Sequence, residues 1–160
     1  MTTTLREMTR EQCLAALRGA RIGRVAVSHR ALPVIVPVNY VLDGATIVFR
    51  TDPDGLLAGA CRSTVVAFEI DDLDPAGRSG WSVLVVGVAD ALDVSEQLRA
   101  AGLGLTSAAG DGRDHFIRVS ISTMSGRVVA PAAPKATSRR PFAGVPRTSS
   151  HTAVGMTRSN

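Results

Sequence analysis

The sequence predicts a small all-β protein with short helices, an antiparallel barrel of about six strands, closed or partly closed. Three observations carry that expectation. Short runs rich in Val and Ile recur between turn signals, as in PVIVPVNYV and ATIVFRT. The Asp43–Gly44 pair stands between two of these runs and forms a tight hairpin. No run is followed by the helical crossover of roughly 10–15 residues that a parallel sheet requires.

Residues 1–8 are expected to be a flexible N-terminus. Thr9 followed by Gln12 forms a capping box, and Cys13, Leu14 and Leu17 supply the buried stripe of a short helix that Gly19 closes. From Arg21 the period changes. Ile22, Val25 and Val27 mark a strand in which Gly23 allows close backbone approach or a bulge. After a turn over His29–Leu32, PVIVPVNYV forms the second strand. Its Pro33 and Pro37 each remove a ladder donor, which predicts an edge or bulged strand. ATIVFRT is the third strand, completing a meander. Residues 56–61 make a short helical link, and TVVAFEI is the fourth strand. DDLDPAGRSG reads as a long polar loop. WSVLVVGVADAL is a long fifth strand, with Gly87 marking a bend. Residues 95–101 read as a helix, a Gly-rich loop follows, and HFIRVSISTMSGRVV closes the barrel. With one Trp, one Tyr and four Phe, the core is expected to be mainly aliphatic.

The net charge of +4 belongs to one end of the chain. Of the 18 Lys and Arg, five (Lys135, Arg139, Arg140, Arg147 and Arg158) fall in the last thirty residues, which hold no acid. The rest of the chain sets thirteen arginines against 14 acidic groups and contains no lysine. Residues 131–160 therefore read as a disordered basic tail on a nearly neutral domain spanning 9–130. A neutral body argues against a nucleic-acid-binding surface. Two cysteines, Cys13 and Cys61, are too few for a disulfide framework and lack metal-ligand spacing. No long apolar run or cleavable leader is present, so a cytoplasmic location with no membrane partner is expected.

No catalytic pattern matches. The phosphate loop, the dinucleotide fingerprint and the nucleophile elbow are all absent. His29, His115 and His151 are scattered, and catalytic residues stay unknown. Glu69, Asp71, Asp72 and Asp74 read as a solvated acidic run, so no metal site is expected. A barrel without its own proton-transfer groups still supports redox chemistry when a cofactor carries the reaction.

The order of P-V-x-Y, F-R-T, A-F-E-x-D-x-x-D and G-W-S-V-x-V-x-G over roughly residues 9–130 resembles the pyridoxamine 5'-phosphate oxidase-like family, and especially its small actinobacterial members. The resemblance implies a split β-barrel and a homodimer with two FMN molecules in clefts between subunits. It further implies a flavin-dependent oxidoreductase that passes electrons or hydride through FMN to an unknown small molecule. Val38, Asn39 and Tyr40 would line one side of the flavin, largely through backbone groups. Arg50 and Thr51 would approach the ribityl-phosphate part, and Trp81 and Ser82 the ring edge.

The sequence departs from that pattern in one place. Relatives carry a lysine in the turn after F-R-T, where Leu56 stands here between Gly55 and Leu57, and Asp52 and Asp54 add negative charge. One charge-assisted contact is worth roughly 1.5–3 kcal/mol, about tenfold to a hundredfold in affinity. Arg24, Arg50, Arg62 and helix N–H groups are the candidates to replace it. Two alternatives therefore stay open: a deazaflavin-dependent reductase, and a dimeric barrel that binds a small ligand without turnover. Arg127 alone near the last strand offers a grip for a second phosphate, which disfavours pyridoxamine-phosphate oxidation.

Overall fold

Capping, alternation and tight turns set most elements of the barrel. The computed structural model describes residues 3–105 and 115–131. The loop at 106–114 and the tail at 132–160, with the expectation of disorder placed on it, lie outside the described residues.

Strands β1 (Thr3–Glu7), β2 (Ile22–His29), β3 (Leu32–Asp43), β4 (Thr46–Thr51), β5 (Thr64–Leu73), β6 (Gly80–Ala91) and β7 (His115–Pro131) are joined by helices α1 (Arg10–Gly19), α2 (Leu56–Ala60) and α3 (Val94–Ala101). All pairings are antiparallel. The order β7-β4-β3-β2-β5-β6 returns to β7 through a β6–β7 ladder, so six strands close on themselves. The expected β-barrel of about six strands is what forms. The seventh strand, β1, pairs only with the end of β7, from Glu7↔Arg127 to Thr3↔Pro131. Thr3–Glu7 is thus strand within the segment expected to be flexible, although these residues lack the apolar alternation that marks a strand.

Two further readings are refined. β3 is not an edge strand throughout. Residues 32–39 pair with β2 on one side, while only 40–43 pair with β4 on the other. Pro33 and Pro37 fall in the half whose second edge has no strand partner among the described residues, which is where a residue without an N–H does least harm. The polar run after Ile70 is strand as far as Leu73, paired with Gly80–Ser82. The loop shrinks to residues 74–79, tied by Asp74 N–H to the Ser79 carbonyl at 2.9 Å. Charged residues tolerate that strand because one face of it is solvated.

The barrel opens where β3 and β7 both leave β4, β3 continuing against β2 and β7 against β6. Helix α1 plugs this gap. Its capping box is present: Gln12 N–H donates to Thr9 Oγ1 at 3.2 Å and Thr9 N–H to Gln12 Oε1 at 2.9 Å. Its Cys13 and Leu17 are buried in a core of Val25, Val27, Ile47, Phe49, Val66, Phe68, Ile70, Val83, Val85 and Val119. A side chain at Gly23 would collide with the Phe68 ring, so the glycine makes the notch that the ring fills. Gly87 meets the Ser120 backbone as closely and sits at the register shift between Val86 and Gly87. The expected bend is a β-bulge. A second, smaller core of Val48, Leu92, Ala100 and Phe116 lies between β4, β7 and α3.

Candidate functional site

The residues implied by the resemblance fall into three groups. The first is core. Val38 and Tyr40 alternate inward from β3, and both are buried. The Tyr40 hydroxyl donates to the Leu17 carbonyl at 2.7 Å, and its ring meets Phe68 edge-on with centroids 4.8 Å apart. Burial pushes the phenol up to about 12, so it stays neutral. Trp81, half-buried, packs against the same core from β6.

The second group faces outward. Asn39 and Ser82 sit on the exposed side of the sheet formed by β3, β2, β5 and β6. Three inter-strand steps separate them, roughly 14 Å. Between and around them the face is largely apolar. Ile22, Ile35 and Val65 are each more than 60% exposed, with Leu84 and Val88 beside them. At its centre Arg24 Nη1 donates to Glu69 Oε2 at 2.9 Å and to Asp71 Oδ1 at 2.8 Å. The Asp71 and Glu69 carboxylates raise the Arg24 pKa further above its ordinary value. Arg127 lies on the same side of β7, opposite Ser82.

The third group ends β4. Arg50 pairs with Phe116 and Thr51 with His115, and both are half-buried. By alternation Arg50 shares the α3 side with Val48, whereas Thr51 follows Phe49 on the main-core side. The turn that follows closes on itself. Asp54 N–H donates to Asp52 Oδ1 at 2.9 Å, and Gly55 N–H to the Asp52 carbonyl at 3.0 Å. Leu56 is half-buried against the main core, and Leu57 is fully part of it. Arg62 Nε donates back to the Ala58 carbonyl at 3.3 Å.

One chain therefore does not gather the eight residues into one pocket. What lies beside them is the edge of residues 32–39, unpaired among the described residues, whose backbone groups flank the exposed apolar face. His115 was set aside on sequence grounds, yet the β4–β7 ladder places it opposite Thr51. Only long-range strand pairing reveals that neighbour. A cavity of about 90 Å³ under α3, lined by Asp43, Thr46, Glu96, Arg99 and Arg118 among others, touches none of the eight. Arg118 is ion-paired there to Glu96 at 2.7 Å, and Arg99 to Asp43 at 3.8 Å. Among the described residues no helix is long and apolar enough to cross a membrane.

A six-stranded antiparallel barrel that parts along β3 and β7 around a helical plug is a split β-barrel. Residues 9–128 match the family described as pyridoxamine 5'-phosphate oxidase, and the chain belongs to that oxidase-like family. Protein Rv0080 of Mycobacterium tuberculosis is 38% identical over 97 residues, 58% of this chain and 64% of that relative, so the match spans slightly less than two thirds of its length. The structure of the FAD binding protein from Mycobacterium smegmatis superposes with a TM-score of 0.70 at 28% identity, covering 79% of this chain and all of the other. A conserved protein of unknown function from Corynebacterium diphtheriae, DIP1874, gives 0.66 at 29%, covering 77% and 96%.

Proposed function

We propose that this protein is a flavin-dependent oxidoreductase that acts as a cytoplasmic homodimer, with two flavin sites in clefts between the copies and FMN as the family's cofactor. The observation that carries the reading is the open edge of β3, residues 32–39, beside an exposed apolar sheet face. A second copy laid on that face would bury Ile22, Ile35, Val65, Leu84 and Val88 and turn the open edge into one wall of a cleft. Membership of the family and the likeness to a FAD binding protein support a flavin as the occupant.

The residues fit the ring of such a cofactor and not its phosphate. A planar ring needs a flat apolar slot edged by a few hydrogen-bonding groups. The backbone of β3, with Asn39 and Ile35 on it and Ile22 beside it, offers that, while Ser82 and Trp81 stand three strands across the sheet. The turn after β4 offers a phosphate two carboxylates and an apolar Leu56. A bound flavin would supply hydride or electron transfer at its ring. The chain's own part is to bind and orient it, and to exclude water through the aliphatic face. That same turn favours a second reading, in which the slot holds a deazaflavin or another small planar ligand.

The test is the visible absorption of the purified protein before and after addition of FMN, with identification of any chromophore released by heat. Flavin bands at one equivalent per subunit are expected. A colourless protein that ignores millimolar FMN and riboflavin alike would overturn the reading, and a deazaflavin titration would then decide for the second.

A further inference from the structure

We propose that the turn between β4 and α2 selects against a terminal phosphate, with Asp52 as the specificity-determining residue. The cleft then grips a flavin by its ring and ribityl chain and takes riboflavin at least as well as FMN. The proposal rests on the flavin reading above.

An anion is held at a turn by backbone N–H groups or by a cationic side chain. Here the turn uses its own donors. Asp52 accepts the Asp54 N–H through its carboxylate and the Gly55 N–H through its carbonyl. The carboxylate thus already stands where an incoming anion would have to bind. No cation lies between residues 52 and 61. Leu56 is turned into the main core, and the Arg62 guanidinium is tied back to the Ala58 carbonyl in the middle of α2. Arg50 precedes the turn but shares the α3 side of β4 with Val48, whereas α2 packs into the main core. A phosphomonoester carrying a charge of about −1.5 to −2 would meet the exposed Asp52 side chain. A ribityl chain ending in a neutral hydroxyl meets no such penalty.

Riboflavin and FMN are titrated separately into the full chain, with quenching of flavin fluorescence as the readout, at low and at high salt. Riboflavin is expected to bind as tightly as FMN or tighter. FMN affinity should rise with salt, because screening weakens a repulsion. In Asp52→Asn the amide oxygen still accepts the Asp54 N–H while the charge is gone. This variant should bind FMN about threefold to fivefold more tightly, the scale of one exposed charge pair, with riboflavin unchanged. FMN binding more than about tenfold tighter than riboflavin and weakening with salt would overturn the proposal, and so would an unchanged ratio in Asp52→Asn. Failure of either flavin to bind either protein would instead sink the flavin reading, and the selectivity with it.

Discussion

One hydroxyl ties the helical plug to the barrel, and one missing side chain lets the core close. Tyr40→Phe would leave the Leu17 carbonyl without its 2.7 Å partner in a buried setting, at a cost of about 1–3 kcal/mol. Gly23→Ala would drive a methyl into the Phe68 ring and cost a similar amount, about 1–3 kcal/mol. Denaturant unfolding measures both. Burial also makes the protein sensitive to alkali. It pushes the Cys61 thiol from 9.0 up to about 11, and the Tyr40 phenol from 10.0 up to about 12. Both groups are protonated in the fold, so their stabilisation is complete below about pH 9 and is lost as pH rises through 11 and 12. The melting temperature should fall across that window, and Cys61→Ala should remove the earlier part of the fall. At this scale the sequence was only half legible. Gly23 announced a close approach but not the ring that makes it, since Phe68 arrives from a strand some forty positions away.

The β2–β3 hairpin shows what local pattern reveals about an element and what it hides. Its place at His29–Leu32 followed from the change of polarity, but its strain did not. Arg30 and Ala31 both adopt left-handed backbone, with φ of 51° and 64°, in a turn where Gly or Asn is the comfortable choice. Ala31→Gly should therefore raise stability by about 0.5–1 kcal/mol, read as a higher melting temperature with the slope of unfolding unchanged. Helix caps were easier to read, because a cap is a contact between residues three apart. The Thr9–Gln12 box was visible from spacing, and the same geometry recurs where Asp93 accepts the Glu96 N–H at 2.8 Å. That contact, with the Ser95 hydroxyl, holds the Asp93 carboxyl below its usual range. β1 escaped notice because its pairing with β7 is set by the far end of the chain and not by any alternation of its own.

At the scale of the whole molecule, order and spacing of motifs made the barrel and the family legible, while the site was not. Tyr40, Trp81 and Val38 turn out to hold the core together, and Asn39 and Ser82 share a face without touching. In the proposed dimer, which of them meet a ligand depends on a second copy, and no pattern within one chain encodes such an encounter. The proposed dimer gives the matching prediction. Ile35→Lys and Leu84→Glu place charges on the exposed face without disturbing the core, and each should shift sedimentation from dimer to monomer and abolish flavin binding together. Flavin retained by a monomer would place the cofactor within one chain and sink the shared-cleft geometry.

β7 hydrogen-bonds to β1, β4 and β6, so it is the strand on which barrel closure depends. It is also the last of the described strands to leave the ribosome. Until His115 and its successors emerge, β4 and β6 each carry an open edge, and the first strand made has no partner at all. Unpaired edges are templates for association with other chains, and pairing ends that lie far apart in sequence is slow. A premature stop anywhere before residue 115 should yield aggregate in place of a smaller soluble domain, which the soluble fraction of a 1–114 fragment expressed beside the full chain would reveal.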